Sequence, residues 1–175
     1  MASEPIRDPI KDHLLTPKNC AFLIIDYQPV QVNSIASMER QRLVSNIARA
    51  CKAAMLYGLP IVHSTVNVQT GINKPPIKAV RTVLQEAPVY DRTSINAWED
   101  VEFRKAVQAT GRKKLVMAAL WTEACLAFPA LDAIEEGYEV YVVADAVGGT
   151  SVTAHEMALR RVEQAGAKMI SVTQL

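Results

Sequence analysis

The sequence has no excess charge of either sign, no long apolar run, few cysteines and no glycine-rich phosphate loop, and each absence removes a class of function. Lys plus Arg number 19 against 18 Asp plus Glu, so there is no electrostatic case for nucleic acid or an acidic membrane surface. No apolar stretch approaches the roughly 20 residues that span a bilayer. The segment Met1 to Lys18 carries Asp8, Lys11, Asp12 and prolines in place of a basic flank and an apolar core, so no secretory signal is expected and a cytoplasmic protein without a membrane partner is. Cys20, Cys51 and Cys125 are odd in number, far apart and without CxxC spacing, which argues against a disulfide framework or a structural zinc. Neither GxGxxG nor GxxxxGK[ST] follows any strand, and TGRKK at Thr110 opens a strand rather than a helix, which disfavours a nucleotide-binding module. A small-molecule substrate or a second copy of the chain remains as the expected partner.

What is present is a regular alternation. Short apolar runs at Cys20 to Asp26, Leu59 to Thr65, Lys114 to Leu120, Tyr138 to Asp145 and Lys168 to Thr173 read as strands, with a weaker one at Pro88 to Asp91. FLII and YVVA are near-continuous hydrophobics, as strands covered on both faces are. Helical spacing fills Met38 to Tyr57, Trp98 to Thr110, Cys125 to Glu136 and Ser151 to Ala165, each closed by a glycine (Gly58, Gly111, Gly137, Gly166) just before the next strand. The order predicts one α/β domain over 1–175, a three-layer doubly wound sheet of about six mainly parallel strands with helices on both faces. The polar stretch Asn67 to Pro76 reads as a loop.

In such a sheet the ligand site lies beyond the carboxyl ends of the strands. Asp26 ends the first strand, and Cys125 follows the Lys114 strand by a short turn and opens the next helix. A cysteine at a helix N-terminus faces unpaired N–H groups that favour the thiolate and can also hold an oxyanion. Asp26 is then the candidate to take the thiol proton. From position alone the plainer readings stay open: Cys125 as a small packed apolar residue, Asp26 as a cap. Cys20, at a strand start, and Cys51, on a helix's apolar stripe, read as structural.

The stretch VMAALWTEACLAFPALDAIEEGYEVYVVADA, Val116 to Ala146, resembles the nucleophile region of isochorismatase-like cysteine hydrolases. RTSINAWED (Arg92 to Asp100), ATGRKKL (Ala109 to Leu115), TEACLAFPAL (Thr122 to Leu131) and the His155 to Gly166 segment resemble the YcaC-type subgroup. The similarity runs from about residue 14 to the C-terminus.

The resemblance implies a six-stranded parallel sheet and a triad of Asp26, Arg92 and Cys125. It also implies an oxyanion hole from the backbone N–H groups of Trp121 and Cys125, and a cis peptide between Leu120 and Trp121. Most of the superfamily has lysine where Arg92 stands; arginine keeps its proton, which leaves Asp26 as the proton carrier. A solvated surface charge is the plainer reading of Arg92.

On the family template Tyr27, Trp98, Trp121 and Phe128 surround the pocket. His63 to Thr70 has one histidine where nicotinamidases carry an aspartate and two, so no metal and no cofactor is expected; His63 and His155 read as hydrogen-bonded structural residues. True isochorismatases lack the cysteine, so vinyl-ether hydrolysis is disfavoured. Amide hydrolysis through a thioester, nitrile hydrolysis through a thioimidate and a non-hydrolytic reactive-thiol sensor or binding protein are the alternatives. The subgroup implies a homo-oligomer, an octamer or smaller, because the chain stops at Leu175.

Overall fold

Six strands, β1 (Cys20–Ile25), β2 (Ile61–Val66), β3 (Val89–Arg92), β4 (Lys114–Ala119), β5 (Glu139–Val143) and β6 (Lys168–Ile170), form one sheet in the order β3-β2-β1-β4-β5-β6. Every pair is parallel. The structure, a computed structural model, describes residues 6–175; the first positions of the N-terminal stretch read above lie outside it. Among the described residues no helix is long and apolar enough to cross a membrane.

The central strands are buried along their whole length, β1 and β4 most completely, which explains their unbroken apolar runs. Around the sheet lie α1 (Pro29–Asn33), α2 (Arg40–Leu56), α3 (Lys78–Arg81), α4 (Val101–Ala109), α5 (Ala127–Glu135) and α6 (Val152–Gln164). Leu43, Ile47, Ala50, Cys51 and Ala54 of α2 are all buried, the stripe that their spacing predicts. The chain reverses after α5 at Gly137, whose φ of 83° lies in the left-handed region that only glycine enters freely.

The six strands and four long helices agree with the sequence reading apart from their ends, while the short helices α1 and α3 were not read from the sequence. The last strand stops at Ile170 instead of Thr173, because Ser171 caps a short turn over Val172–Gln174. Helix α4 starts three residues late: Ala97–Glu99 forms a separate 3-10 turn capped by Asn96, and Asp100 then caps α4 by accepting from Phe103 N. The predicted loop at Asn67 to Pro76 is held at its root by Gln28, which is fully buried; its amide accepts from Val66 N at 3.0 Å and donates to Val66 O and Lys74 O at 3.1 and 2.8 Å.

Candidate active site

The register brings three strand ends to one place. Ile25 of β1 pairs with Ala119 of β4 and with Ser64 of β2, and Val66 pairs with Arg92 at the end of β3. Asp26 is the first residue beyond β1 and has φ 62°, an uncommon left-handed conformation for a residue with a side chain. Its amide still donates to Ser64 O at 3.0 Å, so the kink occurs with the strand pairing intact.

Arg92 meets the Asp26 carboxylate with both ends of its guanidinium, Nη1 to Oδ1 at 2.8 Å and Nη2 to Oδ2 at 2.7 Å. The two side chains are 1% and 0% exposed. This is the bidentate geometry in which arginine binds carboxylates best. Nη1 donates further to Ser64 Oγ (3.0 Å) and Thr65 O (3.1 Å), and Nη2 to Ile95 O (2.9 Å). Arg92 is therefore a fixed, buried cation and not the solvated surface charge of its plainer reading. Ser64 escaped the sequence reading because a strand serine has no local mark of what it faces.

Cys125 is 4% exposed and free. Burial, then the charge of Asp26 and a hydrogen bond to it, push the thiol up to about 12, while Arg92 and a backbone hydrogen bond with Trp121 pull the other way. Burial likewise pushes Asp26 up, against the hydrogen bond and charge of Arg92. The expected helix-stabilised thiolate is thus corrected. The regular helix begins only at Ala127, and Cys125 sits within a preceding π-helical turn, Thr122–Leu126. There the loss of water and the neighbouring carboxylate outweigh any helix-end field.

The turn that carries the cysteine is pinned from the far side. The peptide Leu120-Trp121 is cis, Thr122 N donates to Gly148 O at 2.9 Å, and Leu126 N reaches Trp121 O at 3.1 Å. Thr122 Oγ1 is 2.8 Å from His155 Nδ1, so His155 is hydrogen-bonded as expected. His63, by contrast, is 2% exposed with no hydrogen-bond partner for either ring nitrogen among the described residues, which corrects that reading for it; burial pushes it down to about 4 and keeps it neutral at pH 7. Glu123 Oε1 accepts from Thr150 N at 2.9 Å and from its hydroxyl at 2.6 Å, tying the loop after β5 to the turn that carries Cys125.

A Cβ at Gly149 would lie 2.6 Å from Glu123 Oε2 and 3.0 Å from His155 Cβ. Because Thr150 holds that carboxylate, it cannot swing away freely. Gly149→Ala is expected to cost about 1–3 kcal/mol, seen as a Tm lowered by roughly 5 °C in a thermal melt; an unchanged Tm would show that the loop and the turn are not clamped together.

The four aromatics divide. Trp121 is partly exposed at the strand ends, its Nε1 donating to Ser34 Oγ at 2.6 Å. Phe128, one turn beyond Cys125, is 38% exposed and stands at the surface. Tyr27 is fully buried, with its hydroxyl donating to Ala146 O, so it has no surface to offer a substrate. Trp98 donates from Nε1 to Glu136 Oε1 at 2.9 Å and packs edge-on to Tyr138 at 5.6 Å. Glu136 caps the C-terminal end of α5, and Tyr138 follows the turn at Gly137. Trp98, 4% exposed, thus braces α4 against the end of α5.

A sequence model described as the isochorismatase domain matches residues 20–174. The chain belongs to the isochorismatase family. Escherichia coli (strain K12) "Probable hydrolase YcaC" is 35% identical over 158 residues, which are 90% of this chain and 76% of that protein. The crystal structure of the E. coli ycaC gene product, described as an octameric hydrolase of unknown specificity, superposes with a TM-score of 0.88 at 34% identity, over 98% of this chain and 81% of that one. YcaC from Pseudomonas aeruginosa, solved with hexane-2,5-diol and covalent acrylamide, gives a TM-score of 0.87 at 31% identity, covering 92% and 80%. The isochorismatase-like hydrolase fold and the YcaC-type resemblance both stand.

Proposed function

We propose that the chain is a cysteine hydrolase that cleaves the C–N bond of a small amide through a thioester on Cys125. The observation that carries this reading is the buried Asp26–Arg92 fork beneath the cysteine. Arg92 keeps its proton and holds the Asp26 carboxylate in place. Asp26 is the base beside the thiol, and burial raises its proton affinity above that of an ordinary carboxylate, against the hydrogen bond and charge of Arg92.

The Cys125 S–H proton passes to Asp26 as sulfur attacks the amide carbon. A standing thiolate is not required. The oxyanion is received by the N–H groups of Trp121 and Cys125. Asp26 then protonates the departing amine as the C–N bond breaks, leaving the acyl thioester. Water, deprotonated by Asp26, releases the carboxylic acid and restores the thiol. Trp121 is the aromatic we assign to the substrate's flank; Phe128 joins it only if the mouth of the site extends to the surface of α5.

The covalent acrylamide on P. aeruginosa YcaC supports a nucleophilic side chain in that relative, since acrylamide is attacked at its alkene carbon with its amide left intact. A buried thiol of high pKa does not suit a peroxide sensor, which needs an exposed thiolate. The octamer of E. coli YcaC supports a homo-oligomer here as well. Ile95 and Phe128, 63% and 38% exposed, are apolar surface for a second copy to cover. We place the protein in the cytoplasm.

The test is quenched-flow mass spectrometry with a panel of small primary amides and nitriles. Wild-type protein is expected to gain the amide's mass less ammonia on Cys125, in a hydroxylamine-labile adduct. A nitrile substrate would instead add its whole mass as a thioimidate. In Cys125→Ser both the adduct and turnover should fall by at least about 10³-fold. Turnover retained in that variant would rule out the covalent route.

A further inference from the structure

The amino-terminal end of the sheet, opposite the strand ends that carry the proposed active site, concentrates positive charge. Cys20 of β1 pairs with Lys114 of β4, and Lys114 with Glu139 of β5. Beside these first strand residues a cavity of about 290 Å³ is bordered by Lys11, Lys18, Arg112, Lys113 and Lys114, with Asp12 and Glu139 as its carboxylates. The whole chain is nearly neutral, with 19 basic and 18 acidic side chains. Five cations around one hollow are therefore a local arrangement and not a consequence of composition.

Both carboxylates are already engaged by cations from outside the hollow. Arg7 Nε lies 3.1 Å from Asp12 Oδ2, and Lys168 Nζ lies 2.8 Å from Glu139 Oε2. None of the five bordering cations makes an ion pair among the described residues. Lys114 is 5% exposed, and a lysine so deeply buried is almost always paired with an anion. Its ammonium donates instead to two backbone carbonyls, Asp12 O at 2.5 Å and Leu14 O at 2.8 Å, and Asp12 and Glu139 feel its charge only at longer range. Arg112 gives Nη1 to Lys18 O; its Nη2 has no partner among the described residues and, unlike Nε, is not closed off by the surrounding chain. Lys113 rests over the ring of Tyr138 at 5.3 Å, which steadies a cation without cancelling its charge.

We propose that this cavity binds a compact polyanion, a diphosphate group, at a site separate from the proposed active site. The cations outnumber the carboxylates by more than a singly charged ion offsets. The planar fork of Arg112 and the point charges of the lysines are the groups with which proteins hold phosphate oxygens. Ile10 is the one apolar side chain at the border, so the charged group itself is what the site recognises. A free diphosphate and the diphosphate of a nucleotide share this chemistry.

Pyrophosphate and ADP are titrated into the full chain by calorimetry, without divalent metal and in about 0.15 M NaCl, where attraction between exposed charges is screened beyond roughly 8 Å. The expected result is one saturable site per chain with a Kd at or below about 1 mM. The tighter of the two probes tells a free diphosphate from a nucleotide. Lys18→Glu/Lys113→Glu, at two exposed positions, and Arg112→Gln should each weaken binding at least about tenfold. Lys52→Glu/Lys78→Glu makes the same change of charge on α2 and α3, away from the cavity, and should bind as wild type does. Cys125→Ser should also bind as wild type, which separates this site from the proposed catalytic one. No saturable heat with either probe, an equal loss in Lys52→Glu/Lys78→Glu, full binding in both cavity variants, or loss in Cys125→Ser would overturn the proposal.

Discussion

Asp26→Asn is expected to make Cys125 more reactive towards iodoacetamide and yet to lower turnover by roughly a thousandfold, the scale of a lost general base. The two effects have opposite signs because Asp26 does two things. At rest burial, helped by its charge and hydrogen bond, raises the thiol to about 12, so that at pH 7 the protonated thiol predominates. With the charge removed, Arg92 acts on the sulfur unopposed, and the thiol pKa falls. Each unit of that fall multiplies the thiolate about tenfold, and at least that acceleration is expected in peptide-mapped labelling of Cys125 at pH 7. In the mechanism proposed above the same carboxylate receives and returns the proton, which asparagine cannot do. Labelling as slow as wild type, or turnover within tenfold of it, would remove Asp26 from the mechanism.

The second large effect is on stability. Arg92→Met leaves the Asp26 carboxylate buried without its counterion, and breaking such a pair costs about 3–5 kcal/mol. The loss should depend on pH. Without Arg92 the two largest influences that lower the Asp26 pKa are gone and the raising effect of burial is left largely unopposed, so the folded-state value rises further above the unfolded one. A carboxyl of raised folded pKa is stabilised by protonation: that contribution is complete below the unfolded pKa and is lost as pH rises through the folded one. Arg92→Met should therefore be closer to wild type at pH 5 than at pH 8 in urea unfolding. The double variant Asp26→Asn/Arg92→Met should recover most of the loss at pH 8, since no buried charge remains. A deficit that is the same at both pH values would show that Arg92 acts through packing and not through charge.

The fold was legible because its signals are local. The apolar run from Phe22 to Ile25 and the stripe from Leu43 to Ala54 are periodicities of neighbouring residues, and the glycine after each of the four long helices marks a backbone conformation set at that point. Strand and helix ends moved by a residue or a few, as at Ser171 and Asp100, where one side-chain cap decides the boundary. The cysteine and the aspartate were legible for a related reason. Asp26 follows β1 directly and Cys125 follows β4 by a short turn, and in a parallel sheet the carboxyl ends of strands share one side.

What the sequence did not hold is what depends on partners distant along the chain. Arg92 and Asp26 are separated by 66 positions, and only the pairing of β1 with β2 and of β2 with β3 makes them a fork. Tyr27 and Trp98 look like pocket aromatics next to Asp26 and within INAW, yet their polar atoms are engaged by Ala146 and Glu136. The free nitrogens of His63 have no trace in HSTV. The charge state of Cys125 belongs to the same class. A helix N-terminus alone favours a thiolate, but burial and a carboxylate from another strand reverse it. Periodicity thus determined which elements form and on which side of the sheet the chemistry sits. Tertiary packing decided which groups are dry, which are paired and which carry the proton, because desolvation and charge depend on distance in space.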